Sequence, residues 1–170
     1  MDFSLRNFTR SRRSMNNFYY NNNNWEEVYV MKILIEKAWS IILANDTFPY
    51  STNIYRVIVN DESGREFKTS RGIGTPAPVW NEVIEICFKK YPVNEELKLM
   101  VVRENCYNDP GTSTGEKVVG RATIIVPDVQ CKREGVIELV KLDGVENRVK
   151  GFISYQILLT KVRRHYTNID

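Results

Sequence analysis

From Val28 onward, apolar residues recur with a period near two, in short runs separated by Gly, Pro, Asn and Asp. An extended strand points successive side chains to opposite faces, so this period buries one face and leaves the other wet. A helix of the same sequence would scatter its apolar residues around its circumference. The runs are Val28–Glu36, Ile54–Val59, Val83–Phe88, Leu97–Val102, Ala122–Val126, Val136–Leu142 and Phe152–Leu159. Asp61-Glu62-Ser63-Gly64 is a turn signal, and Arg65–Ser70 returns from it as a further strand. Glu36–Leu43 has the composition of a helical turn, but a strand running on into a loop is the preferred reading. The pattern predicts an all-β chain, a sandwich or barrel, with an eight-stranded antiparallel β-sandwich as the preferred form. The absence of a longer sequence repeat excludes propellers and solenoids.

A length of 170 residues favours one domain, and 42% hydrophobic residues is enough for a core. The formal charge of +3 is unevenly placed. Arg6, Arg10, Arg12 and Arg13 face only Asp2 within residues 1–24, so that segment carries the whole excess and the remainder is neutral. Residues 1–24 also hold the tract Asn21–Asn24, which has no apolar face to bury, and they read as a disordered basic arm. The expected organisation is this arm, a folded body over 25–160 and a polar tail over 161–170. Cys87, Cys106 and Cys131 are odd in number and widely spaced, which argues against a disulfide scaffold or a structural zinc site and for reduced thiols. No apolar run approaches the ~20 residues of a membrane span, and no signal-peptide h-region opens the chain. A cytoplasmic protein with peripheral membrane contact is the expectation.

One stretch is more specific. Pro78-Val79-Trp80-Asn81-Glu82 resembles the N-P-x-W-N-E signature of C2 domains, with Ala77 in place of the first Asn. Asn53-Ile54-Tyr55-Arg56-Val57 is similar to the family's D-P-Y-V-x-V strand opening, with Asn53 for the Asp and Ile54 for the Pro. Val118-Val119-Gly120-Arg121-Ala122-Thr123-Ile124 and Gly151-Phe152-Ile153-Ser154-Tyr155-Gln156-Ile157 resemble two later family segments, and all four come in C2 order over about residues 28–160. The resemblance implies a C2-like sandwich with Trp80 in its core. It extends to small plant single-C2 proteins of the stress-induced and copine-associated kinds.

The family's mechanism is calcium held between loops at one end of the sandwich, usually by five Asp residues. This sequence is poorly supplied. The resemblance puts Asn53 and Glu104 at ligand positions, with Asp46 and Asp109 as nearby substitutes. Calcium takes 6–8 oxygen ligands, mostly carboxylate, so this set implies weak calcium binding or none. Membrane contact would then fall to cations and aromatics. Lys68, Arg71, Lys89 and Lys90 are candidates for an anionic phospholipid surface, and Phe48, Tyr50 and Tyr107 for insertion at the interface. Glu66, Glu82 and Glu85 lie close enough in sequence to cancel part of that field.

Catalysis has little support. His165 is the sole histidine, and G-x-S-x-G, H-E-x-x-H, P-loop and Rossmann fingerprints are missing. The expected function is a binding module, not an enzyme: peripheral, largely calcium-independent docking on anionic phospholipid in signalling or stress response. The alternative is a protein–protein interaction module, an adaptor or regulator that holds a membrane-associated partner without touching lipid. Nucleic-acid binding through the arm and Tyr19/Tyr20 is a weaker third reading.

Overall fold

The computed structural model describes residues 25–41, 53–74, 77–105, 115–143 and 146–165. Among these there are strands and no helix: β1 (Trp25–Trp39), β2 (Ile54–Asn60), β3 (Glu66–Lys68), β4 (Gly72–Ile73), β5 (Val79–Phe88), β6 (Glu96–Glu104), β7 (Lys117–Ile125), β8 (Lys132–Asp143) and β9 (Glu146–His165). Eight strands form one hydrogen-bonded path, β3-β2-β6-β7-β8-β9-β1-β5, and β4 pairs β2 off that path. The path folds over itself as a sandwich. β7 meets β8 at Arg121↔Val140, and this junction joins a β3-β2-β6-β7 half to a β8-β9-β1-β5 half. All of the strand pairs are antiparallel, as the alternation predicts.

The core lies between the halves. Tyr55, Val57 and Val59 of β2 and Leu97, Leu99 and Val101 of β6 face Met31, Ile33 and Ile35 of β1 and Ile153, Ile157 and Leu159 of β9. Each is essentially without solvent contact, and a fully buried aliphatic side chain contributes about 1.5–3 kcal/mol. Trp80 corrects the simplest reading of its motif. It is half-buried and packs against the edge of the core, not at its centre.

The strands are longer than their apolar runs. β1 continues through Glu36 to Trp39 across an irregularity between Ile35 and Lys37, so the helical-turn alternative is not taken up over these residues. β9 runs to His165, paired with β1 down to Trp25↔His165, so residues 161–165 are strand and not the start of a polar tail. Backbone pairing, which no side-chain alternation reports, carries both extensions. The arm expected at 1–24 lies outside the described residues.

The far edges of the path are pinned together. Ser70, between β3 and β4, donates from its backbone N–H and its hydroxyl to Glu82 Oε2 at 2.7 and 2.6 Å. The turn after β2 closes with the Gly64 N–H donating to Asp61 O at 3.0 Å, and Gly64 takes a φ of 83°, a conformation that glycine adopts without a Cβ clash. The Asp61 carboxylate accepts from the Ser63 hydroxyl at 2.7 Å and from the Arg65 N–H at 2.9 Å.

Candidate functional site

The loop end of the sandwich holds two of the residues that the sequence marks for calcium, Asn53 and Glu104. Glu104 closes β6 opposite Ile54, and Asn53 immediately precedes β2. Both are buried. Each carboxylate oxygen of Glu104 is taken by a guanidinium: Arg56 Nη2 lies 3.0 Å from Oε1, and Arg71 Nε donates to Oε2 at 2.6 Å. Arg103, also buried, turns its Nη1 toward Asn53 Oδ1 at 3.5 Å. The oxygens a divalent cation would seek therefore already face monovalent cations fixed on the fold. A calcium ion entering here would have to break charge-assisted hydrogen bonds and sit among like charges. The register explains the arrangement. Arg56 stands opposite Val102, one alternation from Glu104 on the same outward face, and Arg71 reaches the pair from the segment before β4. Asp46 and Asp109 lie outside the described residues.

A second feature is the outer face of β3-β2-β6-β7. Cross-strand pairs share a face, so one row reads Lys68–Ile58–Met100–Arg121 and the next Glu66–Asn60–Lys98–Thr123. Arg56 and Val102 form the row beyond. Strand spacing of ~4.8 Å puts Lys68 and Arg121 about 14 Å apart, with Lys98 between and one row over. Ile58 and Val102 form an apolar floor, nearly closed to solvent although they point away from the core. The cations Arg56, Lys68, Lys98 and Arg121 share this face with Glu66, Glu96 and Glu104. Glu66 holds Lys68 at 2.8 Å and Glu104 holds Arg56, while among the described residues no carboxylate pairs with Lys98 or Arg121.

The opposite outer face, on β8-β9-β1-β5, is mixed. Its row Lys132–Leu158–Lys32–Glu85 is followed by Glu134–Gln156–Leu34–Val83. Lys32 pairs with Glu85 at 3.7 Å, Lys132 with Glu134 at 3.3 Å, and Glu36 accepts from Gln156 at 2.9 Å. Among the described residues, cations thus outnumber carboxylates on one outer face and not on the other.

The four cations singled out in the sequence do not share one surface. Lys68 lies on the cation-rich face, although tied to Glu66. Arg71 is spent on Glu104. Lys89 and Lys90 follow β5, at the end of the other half, and both are exposed. Glu82 does not oppose the cations, because Ser70 holds it at the sandwich edge. Phe48, Tyr50 and Tyr107 lie outside the described residues. Sequence reasoning missed Lys98 and Arg121. Their signal is present as polar positions alternating with the core residues Leu97, Leu99 and Ile124, but only the pairing of β6 with β7 puts them side by side. Among the described residues no group of three or more His, Cys, Asp or Glu side chains converges as a metal site, and no helix is long and apolar enough to cross a membrane.

Comparison with known proteins agrees with this architecture. No family model matches the chain, and no curated protein matches it in sequence. Solved structures do match in fold. A C2 domain of plant extended synaptotagmin 1 superposes with a TM-score of 0.58 at 12% identity, covering 82% of this chain and 96% of that one. A structure described as a C2 domain superposes with a TM-score of 0.53 at 18% identity, covering 78% and 98%. Human GIVD cytosolic phospholipase A2 superposes with a TM-score of 0.58 at 16% identity over 80% of this chain, which spans only 18% of the phospholipase.

Proposed function

We propose that this chain, a C2 domain in its fold, is a non-catalytic module that docks peripherally on anionic phospholipid membranes without needing calcium. The observation that carries the reading is the asymmetry of the two outer faces: Arg56, Lys68, Lys98 and Arg121 outnumber Glu66, Glu96 and Glu104 on one, whereas lysines do not outnumber glutamates on the other. A surface with one cationic side orients itself on an anionic leaflet, where each nearby Lys or Arg contributes about 1 kcal/mol. The two guanidiniums on Glu104 support calcium independence, because they already neutralise the carboxylate at the ion's position. The resemblance to small plant single-C2 proteins supports a cytoplasmic role in stress or defence signalling.

Vesicle sedimentation tests this. The chain is expected to bind phosphatidylcholine vesicles that carry phosphatidylserine, not phosphatidylcholine alone, equally in calcium and in chelator. The double variant Lys98→Gln/Arg121→Gln should bind about 30-fold more weakly, from two lost contributions of about 1 kcal/mol each. Deleting residues 1–24 separates the arm's share from that of the face. Binding abolished by chelator would refute calcium independence.

A second reading, a module that holds a protein partner, draws on a different observation. Ile73, Val79 and Val83 are 63%, 50% and 46% exposed along the β4 and β5 edge. No binding to vesicles of either composition would favour this partner surface over the membrane.

A further inference from the structure

At the end of the sandwich opposite Glu104, the start of β1, the ends of β5 and β9 and the turn before β3 enclose an open cleft of about 440 Å³. Its wall presents Arg65, Lys89, Arg164 and His165, with Glu26 as the one carboxylate among the lining residues. Two guanidiniums converge on a single residue: Arg65 Nη1 donates to Cys87 O at 3.0 Å, and Arg164 Nη2 lies 3.6 Å from Cys87 Sγ. Arg65, Lys89 and Arg164 outnumber the two carboxylates at hand, Glu26 in the lining and Asp61 behind Arg65, so the cleft keeps a net positive charge.

The fold fixes one of the pair in advance. Asp61 Oδ2 accepts from Arg65 Nε at 2.6 Å, and the rings of Phe67 and Phe88 each lie 5.7 Å from its Cζ. The Arg65 side chain nevertheless remains 48% exposed. Glu26 stands opposite Arg164 in the β1–β9 register, and the His165 ring packs edge-on against Trp25 at 5.1 Å. Asp61 takes the Nε–H and Cys87 O an Nη1–H, and the Nη protons that remain on this fixed guanidinium, beside further cations, can donate to phosphate oxygens. Preorganisation favours binding because little side-chain freedom is lost when the ligand arrives.

We infer that this cleft is an anion site that takes the phosphate group of a phosphorylated ligand, with the remaining Nη protons of Arg65 as the fixed donors and Arg164, Lys89 and His165 closing on the other oxygens. None of these side chains belongs to the cationic face, so the site is independent of the proposed membrane-docking surface.

Titration calorimetry of the full chain with inorganic pyrophosphate tests the inference. Saturable binding is expected, weakened about tenfold or more in Arg164→Gln and in Lys89→Gln, since each removes a charge-assisted hydrogen bond to the ligand. Both side chains are exposed, so these variants should fold, whereas replacing Arg65 would also strip the buried Asp61 of its partner. Lys98→Gln/Arg121→Gln should bind pyrophosphate as the parent does. In a Cys106→Ser/Cys131→Ser chain, pyrophosphate should slow alkylation of Cys87. Absent saturable binding, or unchanged affinity in Arg164→Gln, would overturn the site. Vesicles carrying phosphatidylinositol bisphosphate identify the source of the phosphate. Binding to them that is weakened by Arg164→Gln assigns the site to a lipid headgroup, and pyrophosphate binding without it assigns a soluble ligand.

Discussion

Glu104 is the residue whose environment most directly sets what the loop end can bind. Its side chain is 7% exposed, and each oxygen has its own arginine. Glu104→Gln would leave Arg56 and Arg71 facing a neutral amide. The expected loss is about 1–3 kcal/mol in urea unfolding, below the value for a fully buried pair because Arg71 is largely solvated. Arg71→Ala should lose less, under about 1 kcal/mol, since its charge is already screened by solvent. Asp61 makes a pH-dependent contribution. Burial pushes its carboxyl up, but the Ser63 hydroxyl, the Arg65 N–H and the Arg65 guanidinium outweigh that and hold it below the ordinary range. A depressed carboxylate stabilises the folded state fully above its unfolded value of about 3.9, and the contribution disappears as pH falls through the lower folded value. Urea midpoints measured as pH is lowered through and below about 4 should therefore fall more steeply for the parent than for Asp61→Asn.

Among the strands, the opening of β5 shows how a short motif becomes geometry. Asn81 has a φ of 49°, in the left-handed region that Asn tolerates better than most residues, and it sits where the β1–β5 register shifts. Asn81→Ala should cost about 1 kcal/mol, and Asn81→Gly should stay close to the parent, as read by thermal unfolding of both variants. Beside it, a Cβ placed on Gly72 would lie 2.5 Å from Trp80 Nε1. Gly72→Ala must displace the indole, with an expected loss of about 1–3 kcal/mol and a change in tryptophan fluorescence. The Pro78-Val79-Trp80-Asn81-Glu82 motif is therefore legible in the sequence as a strand opening. Its work is not legible there, because Glu82 acts on Ser70 and Trp80 on Gly72, partners that only the closing of the sandwich supplies.

For the whole molecule, charge placement matters more than net charge. The cations of the outer face lie within about one Debye length of their neighbours at moderate salt, so they act together on a nearby membrane. Vesicle affinity should drop steeply as ionic strength rises from about 0.1 M, where the Debye length is ~10 Å, toward 1 M, where it is ~3 Å. The same salt series on Lys98→Gln/Arg121→Gln should have a shallower slope. A parent affinity indifferent to salt would count against the cationic face as the docking surface. The inferred phosphate cleft lies at the other end of the strands, between β1, β5 and β9, so its variants should leave that salt slope unchanged.

Alternation was enough to specify an all-β fold with one buried face per strand, and the ordered motifs from Asn53 to Ile157 pointed to the C2-type sandwich. The scarcity of carboxylates at the positions where the C2 resemblance puts calcium ligands is likewise a reading of the sequence. The company each charge keeps was not, and it came from the fold. Arg71 reads in sequence as a free surface cation, but the fold brings it to Glu104, 33 residues away. Lys98 and Arg121 become neighbours through the β6–β7 register, and Arg65 and Arg164 both reach Cys87, from 22 and 77 residues away, only through the fold. Alternation is a local property of the chain, whereas electrostatics depends on distances through space that strand pairing and the closing of the two halves set.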